Sequence, residues 1–276
     1  AIYGSSPLYD FEGLPQFIEH AESSGILTTV IVDGIDNKSL DKLHILHDHG
    51  LRSLTVSWDG NAISGKRLLP IHVDKQTQLK SRLGVDLARQ FRAAHSDLRD
   101  IEVVATITRK NYRHILNELP ALLEEGLWFS FDFIHPDRGQ PGTKSKGHDT
   151  SLVFAPGDEV MVAEFAAGLS LIKHKYKKVH QSNDYLIKVR DDPNMVTKLS
   201  WQCTGPTFPS WVTIDADGTV LPCDDFWTNR DFKVWELTED KLREFSAFYE
   251  KEVDEKCPGC AWSTHYDAVQ IMQNKS

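Results

Sequence analysis

Short apolar runs alternate with helical periodicity along the first half of the chain. The runs rich in β-branched and aromatic residues predict strands over 26–32, 51–58, 101–108 and 127–134. Between them, apolar residues recur every three or four positions, which predicts helices over 14–21, 39–49, 80–95 and 112–125. Strand–helix units repeated in this order favour an α/β fold with a parallel sheet and its helices outside.

Small and polar residues follow each predicted strand. These segments are 33–34, 57–60, 108–111 and 135–139. Because the chemistry of parallel α/β sheets gathers at the carboxyl ends of the strands, the four segments together predict a ligand-facing rim. Each Asp-Gly or Pro-Asp pair alone is better explained as turn chemistry, and only the four segments together favour the rim. Within the rim, Arg109, Lys110 and Asn111 are candidates to meet an anionic ligand.

The character of the sequence changes after Lys198. Before it, the Gly-rich segment 139–147 has the composition of a substrate loop or lid, and a long helix is predicted over 158–180. After it come tryptophans, Gly and Pro turns and all four cysteines. We therefore predict one domain over residues 1–198 and a second, smaller one over residues 199–276.

The charge and the hydropathy of the chain exclude some partners. With 40 acidic against 31 basic residues the net charge is −9, which disfavours a polynucleotide partner. No apolar run is long enough to cross a membrane, and the opening residues do not have the pattern of a signal peptide. We therefore expect a cytoplasmic protein without a membrane partner.

The four cysteines are spaced like the ligands of one metal centre. Cys257 and Cys260 form a CxxC around Pro-Gly, and the segment between Cys203 and Cys223 reads as a β-hairpin with an Asp217-Gly218 turn that returns the chain. In a reducing compartment, clustered cysteines are metal ligands before they are disulfides. Four thiolates suit either zinc or an iron–sulfur cluster, and the ligand type leaves both open.

The cysteine-containing part of the sequence resembles a known module. The segment DGTVLPC over 217–223 and the terminal CPGC are similar to the Twitch or SPASM-type C-terminal extension of radical S-adenosylmethionine (radical SAM) enzymes. In that family a DGxVxPC hairpin and a CxxC hold an auxiliary [4Fe–4S] cluster, and the presence of four cysteines fits the shorter, single-cluster Twitch form. The resemblance implies that Cys203, Cys223, Cys257 and Cys260 are the cluster ligands.

The first half of the chain resembles the same family. Gly4-Ser5-Ser6-Pro7 stands where the family has GGEP, 56–60 is similar to its SxDG strand end, and 131–136 to the adenine-side end of a later strand. The resemblance implies a partial (β/α) TIM-type barrel with the small C-terminal extension. It also implies an oxidoreductase or maturase that uses SAM to abstract hydrogen from a small polar, sugar-like substrate or a peptide, with flavodoxin or ferredoxin as reductant.

The resemblance also implies which residues contact SAM. The methionine amino end would be cradled by Gly4, Ser5, Ser6 and Pro7. Ser57 and Asp59 would bind the ribose or carboxylate, and Ile134 with His135 would border the adenine. Ser5-Ser6 replaces the usual Gly-Glu of the family. The CxxxCxxC motif that binds the second, catalytic [4Fe–4S] cluster is absent from this sequence, and we expect it, with the first βα unit, upstream of Ala1.

Two other interpretations of the chain are a non-catalytic α/β scaffold with a structural zinc on the four cysteines, and a degenerate radical SAM homologue with a regulatory cluster.

His44, His47 and His49 have a spacing that could bind a metal, although histidines on a solvated helix face are commoner. His265 and Tyr266, just beyond the CxxC, either line the substrate cavity or pack in the core.

Overall fold

The computed structural model describes the following residues: 2, 7–8, 11–32, 38–58, 75–134, 151–201, 213–214, 217–221, 232–257 and 259–273. The chain divides into two compact units, Ala1–Asp132 with Gly168–His180, and Phe133–Ala167 with Gln181–Ser276. The predicted domain boundary at 198/199 lies inside the second unit and stays a prediction. None of the helices in the described ranges is both long and apolar enough to cross a membrane.

The first unit is built on a parallel sheet. Its strands, paired in chain order, are β1 (Thr29–Val32), β2 (Ser53–Ser57), β3 (Asp100–Ile107) and β4 (Trp128–Phe133). Each lies inside or within one residue of its predicted range. Residues 54–56 of β2 are all buried, as expected of a strand covered on both faces, whereas β3 alternates between buried and partly exposed positions over most of its length. The predicted α/β class is confirmed.

Helices alternate with these strands. They are α1 (Leu14–Ser23), α2 (Ser39–Asp48), α3 (Lys75–Ala94) and α4 (Tyr112–Glu124). Helices α2 and α4 are followed by Gly50 and Gly126 at φ 111° and 89°, and positive φ at this position is the usual way for glycine to end a helix. Helix α3 begins five residues before the predicted start at Lys80, and the other three begin at their predicted residues.

The chain adds one parallel pairing at each edge of the sheet. Ile2 pairs with Val30 of β1, and Val179 pairs with Phe129 of β4. The latter pairing explains an error in the predicted helix over 158–180. The helix there, α5 (Glu159–Tyr176), ends early because Lys177 takes a φ of 56° and the next residues bond to Phe129. Residues that periodicity alone assigns to a helix therefore pair with the edge of the sheet.

The second unit contains mainly helices and one hairpin. The helices are α6 (Asn183–Asp191), α7 (Asn194–Thr197), α8 (Glu239–Lys256) and α9 (Ser263–Gln273). The predicted hairpin is confirmed, because β5 (Thr213–Ile214) pairs antiparallel with β6 (Val220–Leu221). Val220 and Phe245 of α8 form the centre of a small apolar cluster, so hydrophobic burial attaches the hairpin to α8.

Candidate metal centre

The CxxC motif forms a buried turn between two helices. Helix α8 ends one residue before Cys257, and α9 begins three residues after Cys260. Cys257 is 9% exposed and Cys260 is 6% exposed, so both sulfur-bearing side chains are buried. Two buried sulfurs three positions apart can serve as two ligands of one soft metal centre, which is the role that the spacing predicts for them.

The turn packs tightly against residue 199. Gly259 has a φ of 118°, and a Cβ built on it would lie 1.7 Å from the carbonyl oxygen of Leu199. Leu199 itself takes a φ of 50°, which costs a non-glycine residue roughly 1–2 kcal/mol. The backbone of Leu199 can therefore lie this close to the CxxC turn only because the residue between the cysteines is a glycine, which has no Cβ.

Hydrogen bonds hold the turn in place. The amide of Cys260 donates to the carbonyl of Trp201 at 2.7 Å, and the two residues form an antiparallel bridge. The buried hydroxyl of Tyr185 donates to the carbonyl of Ala261 at 2.6 Å. These contacts fix the backbone on both sides of the Cys260 sulfur, so its position is set before any metal binds.

Cys260 already accepts a backbone donor. The amide of Trp262 donates to the Cys260 sulfur at 3.3 Å, and the Cys257 thiol donates to the carbonyl of Gly259 at 3.8 Å. Hydrogen bonds to sulfur stabilise thiolate ligands and tune the potential of the clusters that they bind. The second contact needs the thiol proton, so Cys257 would lose it on binding a metal.

Tyr266 lies beside this turn, in α9. It is 8% exposed, and its ring packs at 5.5 Å from that of Tyr185 and 5.4 Å from that of Trp201. Burial raises the pKa of its hydroxyl above the ordinary value. Of the two roles expected for Tyr266, packing is the one that these contacts favour. Nothing is described of the His265 side chain.

The other two expected ligands, Cys203 and Cys223, lie outside the described residues. So do Gly4, Ser5, Ser6, Asp59 and His135 among the expected SAM contacts. Of the remainder, Pro7 is half-buried in a turn, Ser57 is half-buried at the carboxyl end of β2, and Ile134 is 9% exposed directly after β4. The expected roles of all these residues stay predictions.

One expected rim residue has a different role. Asn111 is 1% exposed, its Oδ1 accepts from the amide of Thr108 at 2.7 Å, and its Nδ2 donates to the carbonyl of Thr106 at 2.9 Å. The expectation that Asn111 meets an anionic ligand is therefore wrong. Its side-chain amide forms hydrogen bonds with backbone groups between β3 and α4, which would otherwise need water as a partner.

The three histidines of α2 and its end separate in the structure. His49 pairs with Glu19 at 2.9 Å, while His44 contacts His95 at 2.7 Å and His47 contacts Asp97 at 2.8 Å. The pKa of His95 is lowered, first by burial and then by the charges of His47 and His44. The pKa of Asp97 is lowered chiefly by the hydrogen bond from His47.

His95 and Asp97 were not among the site residues predicted from the sequence. They lie about fifty positions beyond His47 and follow another helix, so no local spacing connects them with α2. The only signal in the sequence was that both segments connect a helix to the next strand of the sheet. Such segments meet at the edge where parallel strands begin.

In comparisons with known proteins, no family model matches the chain, and no curated protein matches it.

Proposed function

We propose that this chain is part of a radical SAM enzyme whose auxiliary [4Fe–4S] cluster is held by Cys203, Cys223, Cys257 and Cys260. The observation that carries the proposal is the buried CxxC turn. Its Cys260 pairs with Trp201, which precedes Cys203, another of the four proposed ligands, by two residues. The proposed reaction is hydrogen abstraction from a small polar or peptide substrate, in the cytoplasm, with flavodoxin or ferredoxin as reductant.

Chain connectivity supports a shared metal centre. Trp201, which precedes Cys203 by two residues in the sequence, pairs with Cys260. Leu221 of β6 precedes Cys223 by two residues in the sequence. Two of the proposed ligands, Cys257 and Cys260, are buried in one turn, and the sequence connects the other two to elements of the same unit.

The chemistry of the donors fits an iron–sulfur cluster. The two described sulfurs are buried, one accepts a hydrogen bond from a backbone amide, and their turn is held by hydrogen bonds to Trp201 and Tyr185. These are properties that protein-bound clusters need, since burial and hydrogen bonds to sulfur set their potential. When bound, SAM and its cluster would supply the radical, and the auxiliary cluster would take up an electron. The protein residues hold these groups and exclude water from them.

The parallel sheet is consistent with a partial barrel. Counting the pairings of Ile2 and Val179, six successive segments of the first unit run parallel in chain order, and this order supports the proposal of a (β/α) barrel with missing units. In such barrels ligands bind at the carboxyl ends of the strands, where Ser57 lies. We propose that SAM binds at this end, against Ser57 and the expected contacts outside the described residues.

A structural zinc on the same four cysteines is the second candidate. It rests on the same observation, because a tetrahedral set of thiolates suits zinc as well as iron. The chain would then be a binding scaffold and not an enzyme. The two proposals place different metals on the same ligands, so a measurement of metal content separates them.

The decisive experiment is anaerobic purification and reconstitution of the full chain with iron and sulfide. We expect a brown protein with about four irons per chain and the EPR or Mössbauer signature of a [4Fe–4S] cluster. Each of C203S, C223S, C257S and C260S should lower the iron content, whereas S200A, at an exposed serine beside the turn, should retain it. Zinc without iron in the purified protein would exclude the cluster.

The sequence immediately upstream of residue 1 separates an active enzyme from a degenerate homologue. A CxxxCxxC motif there supports SAM cleavage, which an assay for 5′-deoxyadenosine in the full reading frame measures directly. A brown protein whose upstream sequence lacks these cysteines would leave the cluster in place and refute the enzymatic role.

A further inference from the structure

Imidazole and carboxylate side chains converge at the edge of the sheet where β2 and β3 begin. His47 lies in the last turn of α2, and His95 and Asp97 lie in the short connection between α3 and β3. One ligand atom from each of the three lies within 4.8 Å of the other two. The rings of His47 and His95 are stacked with their centroids 3.6 Å apart.

We propose that His47, His95 and Asp97 bind a divalent transition metal ion, for which zinc is the best fit. Two imidazole nitrogens and a carboxylate oxygen form a common zinc ligand set, with water at the remaining position. Around a tetrahedral zinc ion, two such ligand atoms lie about 3.4 Å apart. The two ligand atoms that are farthest apart here therefore have to approach each other by at most roughly an ångström and a half. The connection that carries two of the ligands can supply this movement without moving a helix or a strand.

An unsatisfied nitrogen supports the site. His47 Nε2 contacts Asp97, but His47 Nδ1 is buried without a hydrogen-bond partner, which is an unfavourable state for a polar atom. The nearest carboxylate to Nδ1, that of Asp48, is 3.9 Å away, too far for a hydrogen bond. A metal on Nε2 would put the ring proton on Nδ1, facing Asp48. Histidine ligands of zinc commonly donate from their second nitrogen to a carboxylate, and the exposed Asp48 side chain would take this role by moving about 1 Å closer.

Neighbouring side chains orient the other two ligands. His44 Nδ1 lies 2.7 Å from His95 Nε2, and a shared proton held on His95 Nε2 would leave Nδ1 of that ring with the lone pair that a metal ion needs. Arg52 Nε binds Asp97 Oδ2 at 2.9 Å, and its Nη1 donates to the carbonyl of His47 at 2.7 Å. Because the guanidinium takes the far carboxylate oxygen, Oδ1 remains on the side of the imidazoles.

The site has an entry path and a structural consequence. The side chain of Asp97 is half-exposed, which gives a metal ion access to the ligands from solvent. A bound ion would tie α2 to the connection before β3 at the edge where the strands begin, the end of a parallel barrel that serves stability. The proposal needs none of the four cysteines.

Cobalt(II) titration of the full chain tests the site, because Co²⁺ replaces zinc and its visible spectrum reports the ligands. We expect a tetrahedral d–d spectrum that persists in the C257S/C260S double variant and lacks a thiolate charge-transfer band. In that background H47Q, H95Q and D97N should each weaken zinc binding by at least about 100-fold, measured against a chromophoric chelator. Asp97 is half-exposed, so D97N remains informative if a histidine variant does not fold.

H49Q is the matched control. It removes a histidine next to the end of the same helix, whose only described partner is Glu19, and it should leave zinc binding unchanged. Equal zinc affinity in H47Q, D97N and the parent protein would overturn the proposal. So would a cobalt spectrum that arises from thiolates alone, since the imidazoles would then form only a metal-free stack.

Discussion

Gly259 offers the sharpest test of how the cysteine turn is held. Its φ of 118° is one that side-chain-bearing residues rarely adopt, and its Cα faces the carbonyl oxygen of Leu199. In G259A the new Cβ would start 1.7 Å from that oxygen. Since such contacts are essentially never shorter than 3.0 Å, the turn and residue 199 would have to separate by at least 1.3 Å.

Two costs add in this variant. A positive φ costs an alanine about 1–2 kcal/mol, and forcing a methyl group into a packed backbone contact costs about 1–3 kcal/mol more. We therefore expect G259A to lower the free energy of unfolding by about 2–5 kcal/mol, a large part of the stability of a typical domain. The same displacement should break the bond from the amide of Cys260 to the carbonyl of Trp201.

G157A supplies the matched control. Gly157 also has a positive φ, of 106°, but a Cβ there meets nothing within 4 Å, so only the conformational cost of about 1–2 kcal/mol applies. Urea denaturation of both variants gives the difference, and hydrogen exchange of the Cys260 amide reports the broken bond. Equal losses of stability in the two variants, with the Cys260 amide still protected in G259A, would refute the close approach to Leu199.

Two further predictions concern other parts of the chain. N111A should lower the free energy of unfolding by about 1–3 kcal/mol, because it leaves the buried amide of Thr108 without its acceptor. Urea denaturation measures this loss, and the control N117A, at an exposed position of α4, should not show it. The pKa of Asp217 is held far below its ordinary value of 3.8, first by the hydrogen bond from Lys233 and then by those from Thr219. Its contribution to stability is therefore complete above about pH 5 and is lost as the pH falls through 3.8 and below. Hairpin amide exchange against pH should show this loss in the parent protein and not in D217N; identical profiles would contradict it.

The α/β class and the order of the strands were readable from the sequence because both depend on local patterns. Buried strands are continuous β-branched runs, and helices show apolar residues every three or four positions, so each element reports its own environment. The Asp-Gly turn identified the hairpin for the same reason. The end of α5 was not readable, because the pairing of Val179 with Phe129 depends on a strand fifty residues away.

The sequence by itself determined that four cysteines are grouped and that two of them share a tight turn around Gly259. Only the tertiary structure decided that this turn packs on Leu199 and Trp201, and that His47 meets His95 and Asp97. The physical reason is the same in each case. Spacing along the chain constrains neighbours, whereas contacts between residues fifty or sixty positions apart exist only after elements have packed and their side chains have lost access to water.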